Sequence, residues 1–133
     1  MKVRSGQALL ELALCAPVML VLALGAVAAV QIFDAQSGLQ AATDAAAGVA
    51  ARAPDAANAA ASAQRTFESV AATYPLHAAN LRIGVSDFGR GASLSMASSA
   101  VVDIAGESIA FLPARITISA HATALIEPYR SRP

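Results

Sequence analysis

The sequence has little of what disulfide-rich, metal-binding or ordinary soluble domains carry. Of its 133 residues only 14% are charged and 5% are aromatic; tryptophan is absent and there is one cysteine. A single cysteine excludes an internal disulfide framework, and two histidines without a second thiol give no recognisable zinc-ligand spacing. We therefore expect no disulfide scaffold, no metal site and no cofactor.

An excess of basic charge is also missing. Nine Lys and Arg residues balance nine Asp and Glu residues, and the basic ones are scattered without a run or interleaved aromatics. A nucleic-acid partner is therefore not expected. The motifs GxSxG, HExxH, GxGxxG and the P-loop do not occur, so the sequence indicates neither an enzyme nor a small-molecule substrate.

What the chain has in abundance is apolar side chains, at 56% of its residues. From Leu12 to Val30 no residue is charged, and a helix of that length spans roughly 28 Å, close to the hydrocarbon core of a bilayer. Lys2 and Arg4 precede this run and Asp34 follows it. The positive-inside rule then predicts a single-pass inner-membrane protein with a cytoplasmic N-terminus and an extracytoplasmic C-terminal part.

Two other interpretations of the apolar run are a cleaved secretory signal and an uncleaved anchor. Ala26-Val27-Ala28 offers a signal-peptidase site, and cleavage near Ala28 would release a soluble domain with a binding role. The acidic Glu11, Pro17 within the run and the helical pattern beyond Ala28 argue against a signal peptide. An uncleaved anchor would carry a small ligand-binding or scaffold head.

A lipoprotein signal is a further interpretation, since Leu12 to Cys15 is placed like a lipobox. It fails because Leu14 occupies the position before the cysteine, where a small residue is needed, and because hardly any apolar stretch precedes it. Cys15 is better interpreted as a small buried hydrophobic residue.

Glu11 puts a carboxylate at the head of the apolar run. The stretch Gly6-Gln7-Ala8-Leu9-Leu10-Glu11-Leu12 resembles the processing site of type IV prepilins. Residues 6–47 as a whole resemble the N-terminus of TadE-like pseudopilins, the small membrane-anchored components of the tight-adherence (Flp) pilus system. Leu12 stands where that family usually has phenylalanine. The matching positions are Gly6, Gln7, Glu11, Ala13, Pro17, Leu39, Gln40, Ala41, Asp44 and Ala45.

The resemblance implies a defined maturation and a set of partners. A prepilin peptidase would cut after Gly6, making Gln7 the new N-terminus and Glu11 the fifth residue. Glu11 would then pair with the N-terminal amine of a neighbouring pilin or pseudopilin subunit, which supplies the partner that an ionised carboxylate in a membrane needs. The alternative is that Glu11 reaches the lipid headgroups at the helix entrance.

Helical character continues past the apolar run. No proline occurs between Gln31 and Ala53 and every residue there tolerates a helix, so we predict a membrane helix and stalk over residues 7–53 after a leader of residues 1–6, with a kink at Pro17. Small residues at four-residue spacing are typical of close helix packing, although an alanine-rich segment shows such stripes by chance. They are Gly25, Ala29, Gly38, Ala42, Ala46 and Ala50.

Residues 54–133 are predicted to form an extracytoplasmic head. Pro54 ends the stalk and Asp55 caps a second helix that runs to about Thr73. One face of that helix is apolar; it carries Ala63, Phe67, Val70, Ala71 and Tyr74. After Pro75 the pattern alternates, as in β-strands, with a turn at residues 89–91. We predict a pilin-like α+β fold in which a helix covers an antiparallel sheet of three or four strands.

The remaining polar and aromatic residues of the head do not suggest chemistry. His77 is placed in a loop after a proline and His121 on the polar face of the last strand, so both are interpreted as surface residues. The aromatic and apolar residues Phe88, Phe111 and Leu112 are assigned to the core. A group of serines is assigned to the solvated side of the sheet; it comprises Ser93, Ser95, Ser98 and Ser99.

Overall fold

The computed structural model describes residues 2–85, 91–104 and 115–126. The predicted α+β fold is confirmed: a long N-terminal helix is followed by a short helix and three antiparallel strands. These elements are α1 (Lys2–Ala51), α2 (Ala56–Ala71), β1 (His77–Val85), β2 (Ser93–Asp103) and β3 (Arg115–Leu125). The division into leader, stalk and head stays a prediction.

A capped turn separates the two helices, as the sequence predicts. Asp55 precedes α2, and its carboxylate accepts hydrogen bonds from the backbone N–H of Asn58 at 2.8 Å and from the side-chain amide of Asn58 at 2.6 Å. The backbone bond, followed by the side-chain bond, holds the pKa of Asp55 below its ordinary value, because both favour the ionised carboxylate. At this turn the chain reverses direction, and α1 and α2 pack together as a helical hairpin.

The sheet is a meander with strand order β1-β2-β3. Met96 in β2 faces Ile83 of β1 on one side and Ala122 of β3 on the other. β2 is long enough to include Ala100 and Val102, which are both buried. Residues 86–90 and 105–114, which include Phe88, Phe111, Leu112 and most of the predicted turn, lie outside the described residues.

The core lies between the helical hairpin and one face of the sheet. Of the predicted apolar face of the second helix, Ala63, Phe67 and Ala71 are buried, together with Ala59, whereas Val70 is half-buried and Tyr74 is exposed. Phe67 is the largest fully buried side chain of the chain's described part. Tyr74, just beyond α2, packs its ring on Gly38 of α1 so closely that a Cβ at Gly38 would lie within 2.9 Å of three ring atoms.

Polar side chains of α1 hold the stalk to the edge strand β3. The side-chain amide of Gln36 donates to the carbonyl of Ser119 at 2.8 Å, and that of Gln40 donates to the carbonyl of His121 at 3.0 Å. Because backbone groups at a sheet edge have no strand to pair with, these bonds satisfy two of them. They also set the position of β3 along α1.

Three sequence-based assignments are wrong. His77 is the first residue of β1 rather than part of a loop, although its side chain is exposed as expected. Ser98 is buried on the core face of β2, whereas Ser93, Ser95 and Ser99 are exposed as predicted. Cys15 is exposed rather than buried, because the part of α1 that carries it projects away from the head.

The buried Ser98 binds the stalk. Its hydroxyl lies 2.6 Å from that of Thr43, which also donates to the carbonyl of Leu39 at 2.7 Å. Thr43→Val should lower the free energy of unfolding by about 1–3 kcal/mol, since it leaves the Ser98 hydroxyl buried without this partner. Denaturant unfolding of the purified chain in detergent measures the loss.

The matched variants for this pair are Ser98→Ala, the double variant and an exposed control, Ser95→Ala. We expect the double variant to lose less than the sum of the two single losses, because both partners of one bond are then gone. The control should change stability little. Strict additivity of the two single losses would contradict an energetic link between Thr43 and Ser98.

Candidate functional site

The N-terminal half of α1 presents apolar side chains that its own chain leaves uncovered. Between Leu9 and Phe33, the exposed large apolar residues keep 51–72% of their surface accessible. A contiguous apolar band of this size marks a protein or membrane contact, since water does not tolerate it on a soluble monomer. The band is the most prominent candidate site in the described structure.

The length and composition of α1 suit a membrane. Among the described residues it is the one helix that is long and apolar enough to cross a bilayer, with a mean hydropathy of 2.5 in its most apolar window. Only 6% of that window is buried within the chain, which is unlike the core helix of a soluble domain. The helix is thus consistent with a single-pass membrane protein.

Glu11 lies inside the apolar band, one helical turn after Gln7. Both side chains are exposed, and positions four apart share one side of a helix. Glu11 forms no hydrogen bond or ion pair with any described residue of its own chain. Its carboxylate therefore has no partner among the described residues and is open to a group from another molecule.

Gly6 precedes this pair on the same helix. A Cβ added at Gly6 would meet nothing within 4 Å, so the residue is open to contact on all sides. Pro17 lies farther along, and α1 continues through it without a break. The kink at Pro17 and the cleavage after Gly6 stay predictions.

The predicted small-residue stripe divides into two parts. Gly25 and Ala29 are exposed, and a Cβ at Gly25 would also meet nothing within 4 Å. Gly38, Ala42 and Ala46 are instead buried within the chain, where Tyr74 and α2 cover this side of the stalk. Packing of Gly25 and Ala29 against a neighbouring subunit stays a prediction.

Charged groups of the head gather at the end of the sheet nearest the apolar band. The Asp103 carboxylate lies 3.3 Å from the His77 imidazole and accepts a hydrogen bond from Arg115 at 3.1 Å. In the described part of the chain no three His, Cys, Asp or Glu side chains are grouped to hold a metal ion. The arrangement is an exposed ion-pair cluster that ties the three strand ends together.

Sequence reasoning missed the residues that join stalk and head. Gln36, Gln40 and Thr43 follow each other at spacings of four and three, which places them on one face of α1. Polar side chains at helical spacing beside buried Leu39 and Ala42 were the available signal. They indicate a face that must hydrogen-bond to another element.

Comparison with known proteins found one similarity. The family model described as TadE-like protein matches residues 6–48, which is less than half of the chain. No curated protein and no solved structure matches. The family match confirms the resemblance noted in the sequence, and it points to a pilus-associated, pilin-like protein of a structural rather than enzymatic family.

Proposed function

Because residues 6–48 are those of a TadE-like protein, we propose that this chain is a minor pilin or pseudopilin. In this proposal it is a structural subunit of a tight-adherence pilus or of its assembly machinery. It enters the inner membrane with its N-terminus in the cytoplasm, is cut after Gly6 by a prepilin peptidase, and joins other subunits through α1. It catalyses no reaction itself.

The observation that carries the proposal is the carboxylate of Glu11 within the uncovered apolar band. An ionised carboxylate in hydrocarbon is costly and is normally paired. Cleavage after Gly6 would create an α-amine at Gln7, one helical turn from Glu11. The positively charged α-amine of an adjoining subunit at the same depth can then pair with the Glu11 carboxylate.

The rest of the band supports assembly by helix packing. Once subunits leave the bilayer, their exposed apolar side chains need other apolar surfaces, and the α1 helices of neighbours supply them. Gly25 and Ala29 are exposed and small, so another helix can approach closely at that level. The head then remains outside the helical core of the fibre, attached by the Gln36, Gln40 and Thr43 contacts.

The mature N-terminus tests this proposal. Mass spectrometry of the exported protein should find Gln7 as the first residue. A chain that starts at Ala29 would support the secreted binding domain instead, and an intact Met1 would support an uncleaved anchor. Either of those two results contradicts the proposal.

A glycine pair on α1 provides the matched variants. Gly6→Leu should abolish processing, because the peptidase reads the residue before the cut, and the chain should keep its full mass. Gly25→Leu introduces the same side chain at another exposed glycine and should leave cleavage intact. The two variants are compared by their masses after co-expression with a prepilin peptidase. Equal processing of both would contradict the assigned cleavage site.

A further inference from the structure

The head carries a basic groove at the end farthest from the apolar band. This tip groove, of about 480 Å³, lies at the turn between α1 and α2 and is lined by Val49, Arg52, Asn58, Ser62 and Arg65 among others. Asn58 and Ser62 are engaged in local hydrogen bonds. The groove therefore offers two guanidinium groups as its charged contacts.

Both guanidinium groups are exposed and have no anionic partner among the described residues. Arg65 donates from Nε to the carbonyl of Ala61 at 3.2 Å, and neither Arg52 nor Arg65 forms an ion pair with a carboxylate of residues 2–85, 91–104 or 115–126. Guanidinium groups bind carboxylates in a bidentate geometry. The tip groove is thus suited to a carboxylate from another molecule.

At the opposite end of the head lies the exposed carboxylate of Asp34. It lies on the rim of a second groove of about 460 Å³, which is also lined by Ser37, Tyr74 and Val102. Asp103 beside it is already in contact with the His77 imidazole and the Arg115 guanidinium. Asp34 is exposed and pairs with no described residue.

The two charges lie at opposite ends of the head, with Asp34 within α1 and Arg52 directly after it. Asp34 and Arg52 are 18 residues apart, which corresponds to roughly 27 Å along α1. The apolar band ends near Phe33, so Asp34 marks the membrane side of the head and Arg52 its tip. Surfaces of opposite charge at opposite ends favour a head-to-tail contact, which repeats without closing and builds filaments.

We propose that the tip groove receives Asp34 of a second copy of this chain, displaced along the fibre axis. The inference rests on the proposed function, since it needs subunits that stack. Copies at equal depth in a bilayer cannot make this contact, because Asp34 and the groove then differ in height by roughly 27 Å. The contact forms only when one subunit has moved outward relative to the other. The tip groove lies roughly 27 Å beyond Asp34, so lipid phosphates at the membrane surface do not reach it.

Charge reversal in the full chain tests the contact in cells that assemble the fibre. Asp34→Arg, and Arg52→Asp combined with Arg65→Asp, should each lower the amount of chain recovered in fibres by about fivefold, as expected for exposed ion pairs. A variant with all three substitutions again has opposite charges at position 34 and in the tip groove, with the two signs exchanged. Recovery in fibres should then return to within about twofold of the unchanged chain.

Arg82→Asp is the matched control, since Arg82 is exposed on β1 away from both grooves. It should leave fibre recovery unchanged. Single reversals without effect, or single reversals that the combined variant does not restore, would overturn the proposed contact. In either case a Gln7 N-terminus and normal incorporation of the unchanged chain would leave the proposed function standing. A chain that is never processed or incorporated would instead contradict that function.

A disulfide test guards against variants that fold poorly. With Cys15→Ser removing the native thiol, Asp34→Cys and Arg52→Cys in one chain should give disulfide-linked ladders from fibres. Membranes without assembled fibres should give none, because copies there lie at one height. Ladders of equal intensity in both samples, or none in fibres, would contradict the proposed stacking.

Discussion

Glu11→Gln should lower the recovery of this chain in assembled fibres by tenfold or more. The substitution keeps the size and hydrogen-bonding capacity of the side chain and removes its charge. An ion pair at about 4 Å is worth about 4 kcal/mol at an effective dielectric constant of 20, and it grows stronger as water is excluded. Subunit incorporation, measured by quantifying the chain in purified fibres against the membrane fraction, reports the loss.

Two matched variants separate the charge of Glu11 from other effects. Glu11→Asp retains the carboxylate and should keep most of the incorporation. Asp44→Asn removes a carboxylate that is exposed on the same helix and accepts a hydrogen bond from Gln40, and it should leave incorporation unchanged. Membrane insertion and the Gln7 N-terminus should be the same in every variant. Normal incorporation of Glu11→Gln would refute the proposed pairing.

Phe67→Ala should lower the free energy of unfolding of the head by about 3–5 kcal/mol. Phe67 is fully buried, and most of the other buried core residues on the two helices are alanines, whose short side chains fill little of the space. Small domains have total stabilities of about 5–15 kcal/mol. The variant should therefore unfold at much lower denaturant concentration, or fail to fold at 37 °C.

Phe33→Ala is the matched control for Phe67. It removes the same side chain from a position that is 72% exposed on the apolar band, so the stability of the head should hardly change. Phe67→Leu should cost less than Phe67→Ala, since a branched apolar side chain fills part of the cavity. Denaturant unfolding in detergent compares the three variants. Equal losses for Phe67→Ala and Phe33→Ala would contradict a core centred on Phe67.

Periodicity predicted the elements well where the pattern was unbroken. The apolar run, the Pro54-Asp55 boundary and the alternation in β3 each follow from one local rule. α1 ends at Ala51 and α2 at Ala71, each two residues before the predicted end, whereas α1 already begins at Lys2, five residues before the predicted start. The start of β1 was missed because the strand is irregular there. Its pairing with β2 shifts between His77 and Asn80, and Ala78 has a positive φ of 49°.

Ser98 was assigned to the solvated face of the sheet because serine is polar, although its position in the strand indicated the core face. It lies two residues from buried Met96 and two from buried Ala100, so the two-residue period of a strand places all three on the core face. A hydroxyl is tolerated there because Thr43 of α1 lies within hydrogen-bond distance. Nothing near Ser98 in the sequence reveals that partner, which is 55 residues away.

The sequence by itself determined that α1 carries a long apolar run with an acidic residue near its start, since both are properties of consecutive residues. Only the tertiary structure decided which small residues of α1 are covered by its own chain and which remain open to another subunit. Gly38, Ala42 and Ala46 are equivalent to Gly25 and Ala29 in a local pattern. They differ because α2 and Tyr74 pack on one set and bury it. Which small residues are closely packed therefore depends on elements that are distant in the sequence.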